Sequence, residues 1–424
     1  KYINMNVAVI GSGGREHALC FKLSLSKKIS KLFCIPGNPG TDSICENIEI
    51  DPLNFDLLYS VLLKKNISTV IVGPEIPLVK GIVDFLSEKS IFTFGPSKKA
   101  SQLEGSKDFM KKLCRDFNIP TAEYESFDNL LKAQDFIKKS KHPLVIKSDG
   151  LAAGKGVTIS NNVEESIKCA KEILEGKFKT SSKVVIEEFL EGEEASYFVI
   201  TDGENYLPIG TAQDHKRIGE KDTGLNTGGM GAYSPSLLIT NDMQEKINKK
   251  IIEPTIKSLN TIGCSFVGIL YAGLMIKNNE PKLIEYNIRF GDPECQVIMM
   301  RLENDLLDLI LSVKNKNLND QKIFWKKDPC ITVVASAKGY PEKYQTKTHI
   351  KNLENVENNF TQQLFHAGTI KVDKKILANG GRVLNATALA PSLQEARGKA
   401  HQMLDLVDWE DKYFRRDIAW RAIK

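Results

Sequence analysis

The sequence predicts a multidomain protein of mixed α/β and α+β class, and three observations carry that reading. At 424 residues the chain is too long for one hydrophobic core, so three or more units are expected. Residues 5 to about 100 alternate short apolar runs with helical stretches, the pattern of a parallel sheet covered on both faces. From about residue 193 the chain becomes β-rich, with a strand pair at 267–277 and 281–290.

The first unit, expected over 1–103, has apolar runs at 6–10, 31–35, 69–72 and 91–94. Each stops at glycine or proline: GSGG (11–14), PGNPG (36–40), GPE (73–75) and GP (95–96). In such sheets ligands gather at the C-terminal strand ends, which here are the first three of these loops. A helix starting at Gly105 carries Lys107 and is broken at NIP (118–120). Residues 122–192 form a second unit, with β runs at 143–147 and 184–187 and a helical stretch near 163–175. Residues 104–121 and 193–325 form a third, with a helix near 242–260. A tail over 326–424 has strands at 330–335 and 383–387 and a helix at 394–407.

Composition narrows the function classes. The chain is 42% hydrophobic and 26% charged, ordinary for a globular protein. A net charge of +5 is spread over many lysines, so no basic stripe points to nucleic acid, while small anionic substrates remain compatible. No apolar run approaches the roughly 18 residues of a membrane span. Eight cysteines lie far apart without CxxC spacing, which argues against zinc and disulfides and for a reducing cytosol. The N-terminus lacks the apolar core of a secretory signal, and Met5 can serve as an internal start.

Chemistry concentrates first in the run PKLIEYNIRF (281–290), closed by GDPE (291–294). Strand alternation is expected to put Leu283, Glu285, Asn287 and Arg289 on one face and Ile284, Tyr286 and Ile288 on the other. A carboxylate and an amide oxygen on a rigid strand suit Mg²⁺, which takes its remaining ligands from water and phosphates. The fork of Arg289 suits a carboxylate or phosphate. The loop DGLAAGKG (149–156) lies between two strand runs and departs from a Walker A loop, with Gly156 where Ser or Thr should follow Lys155. It reads instead as a glycine-rich flap, with Gly154 and Gly156 flanking Lys155, able to close over a triphosphate. Lys147 and Lys107 add two cations. At EEFL (187–190), Glu187, Glu188, Phe189 and Leu190 can form an adenine slot, with Glu193 or Glu194 on the ribose; a solvated acidic strand end fits this segment equally well.

The loop GSGGREH (11–17) follows a strand and opens a helix, but Glu16 replaces the third glycine of a dinucleotide fingerprint. The acid that should grip a ribose is also missing, because Pro36, Gly37 and Asn38 stand there. The junction is expected to bind an anion through free N–H groups, without a nicotinamide cofactor. A tight turn that uses glycine for steric reasons alone is the alternative. No Ser/His/Asp or Cys/His grouping favours a covalent mechanism, and His215 reads as a structural residue.

Taken together, these segments resemble the ATP-grasp superfamily, and within it the glycinamide ribonucleotide synthetases (phosphoribosylamine–glycine ligases). VIGSGGREHAL (9–19), PGNPGT (36–41), VGPEIPLVKGI (72–82), KSDGLAAGKGV (147–157), EEFLEGEEAS (187–196), QDHKR (213–217), NTGGMGAYSP (226–235), EYNIRFGDPECQ (285–296) and GGRVLNATAL (380–389) carry the likeness in order along nearly the whole chain. The resemblance implies a Rossmann-like first domain, an ATP-grasp core split into a central domain and a flap-bearing lid, and a small α+β C-terminal domain. It implies cytoplasmic purine synthesis from ATP, glycine and 5-phosphoribosylamine with Mg²⁺ or Mn²⁺, by a monomer or else a dimer, and a single-activity enzyme of bacterial type.

The resemblance also implies roles. Glu285 and Asn287 would hold the metal; Lys107, Lys147 and Lys155 would neutralise phosphate; Glu187 to Leu190, with Glu194, would seat the nucleoside. Arg289 would stabilise charge at the glycine carboxylate and γ-phosphate, and Asp214 would meet the glycine ammonium. Gly13, Gly14, Arg15, Asn38, Thr41, Glu75 and Gly229 would line the phosphoribosylamine site. Leu225 stands where the family has Pro, and Cys295 where it has Thr. Rival readings are an ATP-grasp enzyme with another acceptor, a nicotinamide dehydrogenase, and a nucleotide-binding regulatory module.

Overall fold

A computed structural model describes residues 4–152, 156–178 and 182–423. Its first sheet has five parallel strands in the order Glu46–Asn47, Ile29–Pro36, Met5–Gly11, Ile67–Val72, Phe92–Phe94. The run at 7–10 is apolar throughout because both faces are covered: Ala8 and Ile10 enter one core, Val7 and Val9 another. Parallel pairing brings the loops after Gly11, Pro36 and Val72 to one edge.

The second sheet is antiparallel, in the order Tyr124–Phe127, Val184–Glu188, Leu144–Ser148, Val157–Ser160. Helices Leu130–Lys139 and Val163–Leu174 pack on it through Ala133, Ile137, Ala170 and Ile173. The glycine-rich flap joins its last two strands, as the sequence suggested, although Gly154 and Lys155 lie outside the described residues.

The third sheet holds nine strands among the described residues and runs from Glu280–Asn287 through Val267–Lys277, Glu193–Asp202, Tyr206–Asp214 and Gly231–Ser234. It continues without a break into Cys330–Ala337, Arg382–Leu389 and Gln362–His366. The C-terminal segment is thus joined edge to edge with the central one.

One expectation about this sheet is corrected. Leu283 pairs with Leu274 and Glu285 with Gly273, so Ile284 is an extra residue, a bulge in the edge strand. The bulge shifts the alternation by one, putting Leu283 in the core with Tyr286 and Ile288 and leaving Glu285 and Asn287 on the opposite face. The strand ends at Asn287, and Arg289 follows in a bend.

Candidate active site

Sheet register assembles one polar face. Glu285 and Asn287 share it with Tyr271, Gly273, Ser196, Glu194 and, one strand further on, Asp214. The carboxylate of Glu285 and the carboxamide of Asn287 are half-buried and hydrogen bond to no other described side chain or backbone group, so their oxygens stand open. Burial opposes charge on Glu285, but Lys216, Lys147, Lys107 and Arg289 hold its carboxyl below the usual range. Open hard oxygens beside four cations fit a divalent ion that completes its shell with phosphate and water. Among the described residues no cluster of three His, Cys, Asp or Glu is placed to hold a metal.

The cations come from different elements. Lys107 opens helix Lys107–Asp116, whose N-terminus is capped by Ser106 and by Asp149 at the flap's entry (Lys107 N to Asp149 Oδ1, 2.6 Å). The Lys107 ammonium donates to the Gly150 carbonyl at 2.9 Å, tying it to the flap's hinge. Lys147, next to the end of its strand, lies 3.0 Å from the Glu187 carboxylate. Lys216 pairs with Glu194 at 2.9 Å. Sequence reasoning passed over Lys216, although its place two residues beyond Asp214 in a strand-like segment was a usable signal.

Arg289 lies between two carboxylates. Its Nε donates to Glu75 at 3.1 Å and its Nη2 to Glu104 at 2.8 Å. Burial pushes the Glu104 carboxyl up to about 7 despite Arg289. Burial also opposes charge on Glu75, but Arg289 and Arg15 draw its carboxyl down to about 2. Near Arg289, Glu294 accepts from the Tyr271 hydroxyl at 2.9 Å. Burial, with Glu294 and Glu194 nearby, pushes Asp214 up to about 8 against the pull of Lys216.

Several expected contact residues instead build the frame. The Arg15 guanidinium is buried against Glu16 (2.6 Å) and the Phe290 carbonyl (3.1 Å). The N–H of Gly13 donates to Glu16 at 2.7 Å, and Asp292 lies 3.4 Å from the N–H of Arg15. The N–H groups of Gly13 and Arg15 are therefore turned to the protein's own carboxylates. Glu16 fills the space where the third glycine was missed; a Cβ at Gly73 would collide with it, and one at Gly14 would collide with Asn385. Asn38 and Thr41 are buried: the Asn38 side chain accepts from Gly40 and Thr41 N–H and donates to the Ser12 and His366 carbonyls. Gly229 is buried too, packed on Pro293 and close to Arg382, which donates to the Gly228 carbonyl at 2.9 Å.

The adenine-slot residues divide. Glu187 is buried on Lys147 and Lys111, so it positions cations rather than facing a base. Glu188 meets the Glu123 N–H and Lys282, while Phe189 is exposed and Leu190 half-buried. Gly156 is buried beside Ser148. His215 is structural: its Nε2 accepts from the Ala419 N–H, and Nδ1 lies 3.4 Å from Asp222.

Comparison with known proteins agrees along the whole chain. Family models described as phosphoribosylglycinamide synthetase match the N domain over residues 5–104, the ATP-grasp (A) domain over 105–295 and the C domain over 330–421. A phosphoribosylamine–glycine ligase of Brucella melitensis biotype 1 is 48% identical over 421 residues, 99% of each chain. The crystal structure of the phosphoribosylamine–glycine ligase of Thermotoga maritima superposes with a TM-score of 0.84 at 33% identity, covering 98% of this chain and 100% of the other. A biotin carboxylase domain of the Hydrogenobacter thermophilus 2-oxoglutarate carboxylase, solved with MgADP, shares the fold at 16% identity (TM-score 0.74, 98% and 92% covered). The chain belongs to the phosphoribosylglycinamide synthetase family.

Proposed function

We infer that this protein joins glycine to 5-phosphoribosylamine at the cost of ATP, giving glycinamide ribonucleotide, ADP and phosphate in purine synthesis. The observation that carries it is the open Glu285–Asn287 face, ringed by Lys107, Lys147, Lys216 and Arg289. Glu285 and Asn287 would hold a divalent ion, Mg²⁺ or Mn²⁺, which would neutralise charge on the ATP phosphates. Lys107 and Lys147, with Lys155 of the flap, orient the triphosphate, since phosphoryl transfer needs positioning and charge neutralisation more than a protein nucleophile. Phe189 and Leu190 flank the base, and Glu194 holds the ribose.

Glycine's carboxylate takes the γ-phosphoryl group beside Arg289 while its ammonium faces Asp214. The amine of phosphoribosylamine then attacks the acyl carbon of the glycyl phosphate, phosphate leaves with its bonding pair, and the amine gives up one proton. Holding the two reactants together accounts for about 7–11 kcal/mol of the barrier. Phosphoribosylamine lies along the edge at Glu75 and the exposed Gly228 beside Gly229, with Arg15, Asn38 and Thr41 supporting that edge from behind. Eight unpaired cysteines support a reducing, cytosolic setting.

The test is coupled ADP release from purified protein with ATP, Mg²⁺ and phosphoribosylamine formed in situ. ADP that requires both glycine and the amine is expected. ADP released without glycine would point to another carboxylate and overturn the proposal.

A further inference from the structure

Arg289 carries five N–H donors. Three are used within the protein: Nε on Glu75, Nη1 on the Phe290 carbonyl at 3.2 Å, and Nη2 on Glu104. The other two, one on each terminal nitrogen, have no protein partner among the described residues. A pair of donors on Nη1 and Nη2 matches the two oxygens of a carboxylate or phosphoryl group.

Glu104 controls where that pair points. Its Oε1 accepts from Arg289 Nη2 at 2.8 Å, and its Oε2 accepts from the backbone N–H of Ile288 at 2.9 Å. One carboxylate thus ties the tip of a long side chain to the backbone one residue earlier. A free Arg side chain loses rotamer freedom on binding, and this bridge removes much of that freedom beforehand. The support is itself firm. Glu104 sits in the short helix Gln102–Gly105 between buried Leu103 and the capped start of helix Lys107–Asp116. Its side chain is 10% exposed, against 23% for Glu75, so it lies on the protein side of the guanidinium.

We propose that Glu104 is a positioning residue for ligation, holding Arg289 with its two spare donors turned toward the anionic substrates. The proposal rests on the role given above to Arg289. Glu104 touches no substrate; its effect passes through the guanidinium alone.

A double-mutant cycle with Glu104→Gln and Arg289→Met tests this, with kcat and the KM values for glycine and ATP measured on each protein. Glutamine can accept from Ile288 or from Arg289 but not from both. Glu104→Gln is expected to lower kcat/KM for glycine by roughly 10- to 100-fold, with KM for ATP changed by less than about twofold. In the Arg289→Met background the same change should cost almost nothing, because coupled residues give non-additive effects. Additive losses would overturn the positioning role. If Arg289→Met does not fold, the single variant still decides: a reduced active fraction with unchanged glycine KM and kcat per active site would mean that Glu104 only supports the fold. Wild-type protein without glycine-dependent ADP release would overturn the ligase reading itself.

Discussion

Two polar regions of this molecule look alike in sequence and behave differently in structure. The loops at 11–17 and 36–41 are rich in glycine and polar side chains at the C-terminal ends of parallel strands. The face around Glu285 is equally polar. At the first, several donors are taken up by the protein itself: Gly13 N–H by Glu16, the Asn38 amide by Ser12 and His366, and the Arg15 guanidinium by Phe290. At the second, Glu285 and Asn287 stand open while four cations surround the carboxylate. A polar motif can serve a ligand or build the wall behind it, and hydrogen-bond accounting separates the two.

The contrast is broken most directly at the open face. Glu285→Gln keeps the side chain's shape but removes the charge that a divalent ion needs. Its activity is expected to fall on the order of 10³-fold, while circular dichroism stays that of the folded protein, since the side chain has no hydrogen-bond partner to lose; the urea midpoint should fall only slightly, as four cations lose a counter-charge. Activity retained at all Mg²⁺ concentrations would remove the metal assignment.

At the closed loops the expected effect lies in stability. Arg15→Met leaves Glu16 and the Phe290 carbonyl without their buried donor, and loss of one member of a buried ion pair costs about 3 kcal/mol. The urea midpoint should drop accordingly, with KM for phosphoribosylamine unchanged on the folded protein. A tenfold or greater rise in that KM at unaltered stability would return Arg15 to the list of substrate contacts.

How much of this could be read from the sequence follows the same division. The first sheet was legible because each apolar run ends in glycine or proline, although the two-residue strand Glu46–Asn47 is too short to leave a pattern. Helix Glu294–Arg301 is buried all round, so it lacks the polar stripe that marks an amphipathic helix and went unremarked. The bulge at Ile284 was hidden, because Leu283-Ile284-Glu285 fits either alternation and only pairing with Leu274 and Gly273 decides. Asn287 and Arg289 carried their own signal; their surroundings did not. Glu104 meets Arg289 across 185 positions of chain, and nothing local marks a glutamate in a short helix as the partner of a distant arginine. The bonds that Asn38 and Arg15 make within the protein were hidden for the same reason, since acceptors come from His366 and Phe290.

The smallest effect probes the seam between the closed loops and the C-terminal strand. His17 Nδ1 accepts the backbone N–H of His366 at 2.8 Å, so that nitrogen must be unprotonated, and the two rings lie 5.9 Å apart. Burial lowers both imidazoles, that of His366 to about 4, and His366 also opposes charge on His17. Between about pH 4 and the usual 6.5 the unfolded chain therefore binds more protons than the folded one, and stability rises with pH across that window. It should be level above about pH 7 and fall on acidification, with the partly exposed His366 contributing of order 1 kcal/mol at pH 5. His17→Gln keeps an acceptor for the His366 N–H but cannot charge, so thermal melts from pH 8 to 5 should show a shallower acid slope than wild type. An unchanged slope would mean that the carboxylates, and not this histidine pair, set the acid limit, and that the seam holds the PGNPGT loop by packing alone.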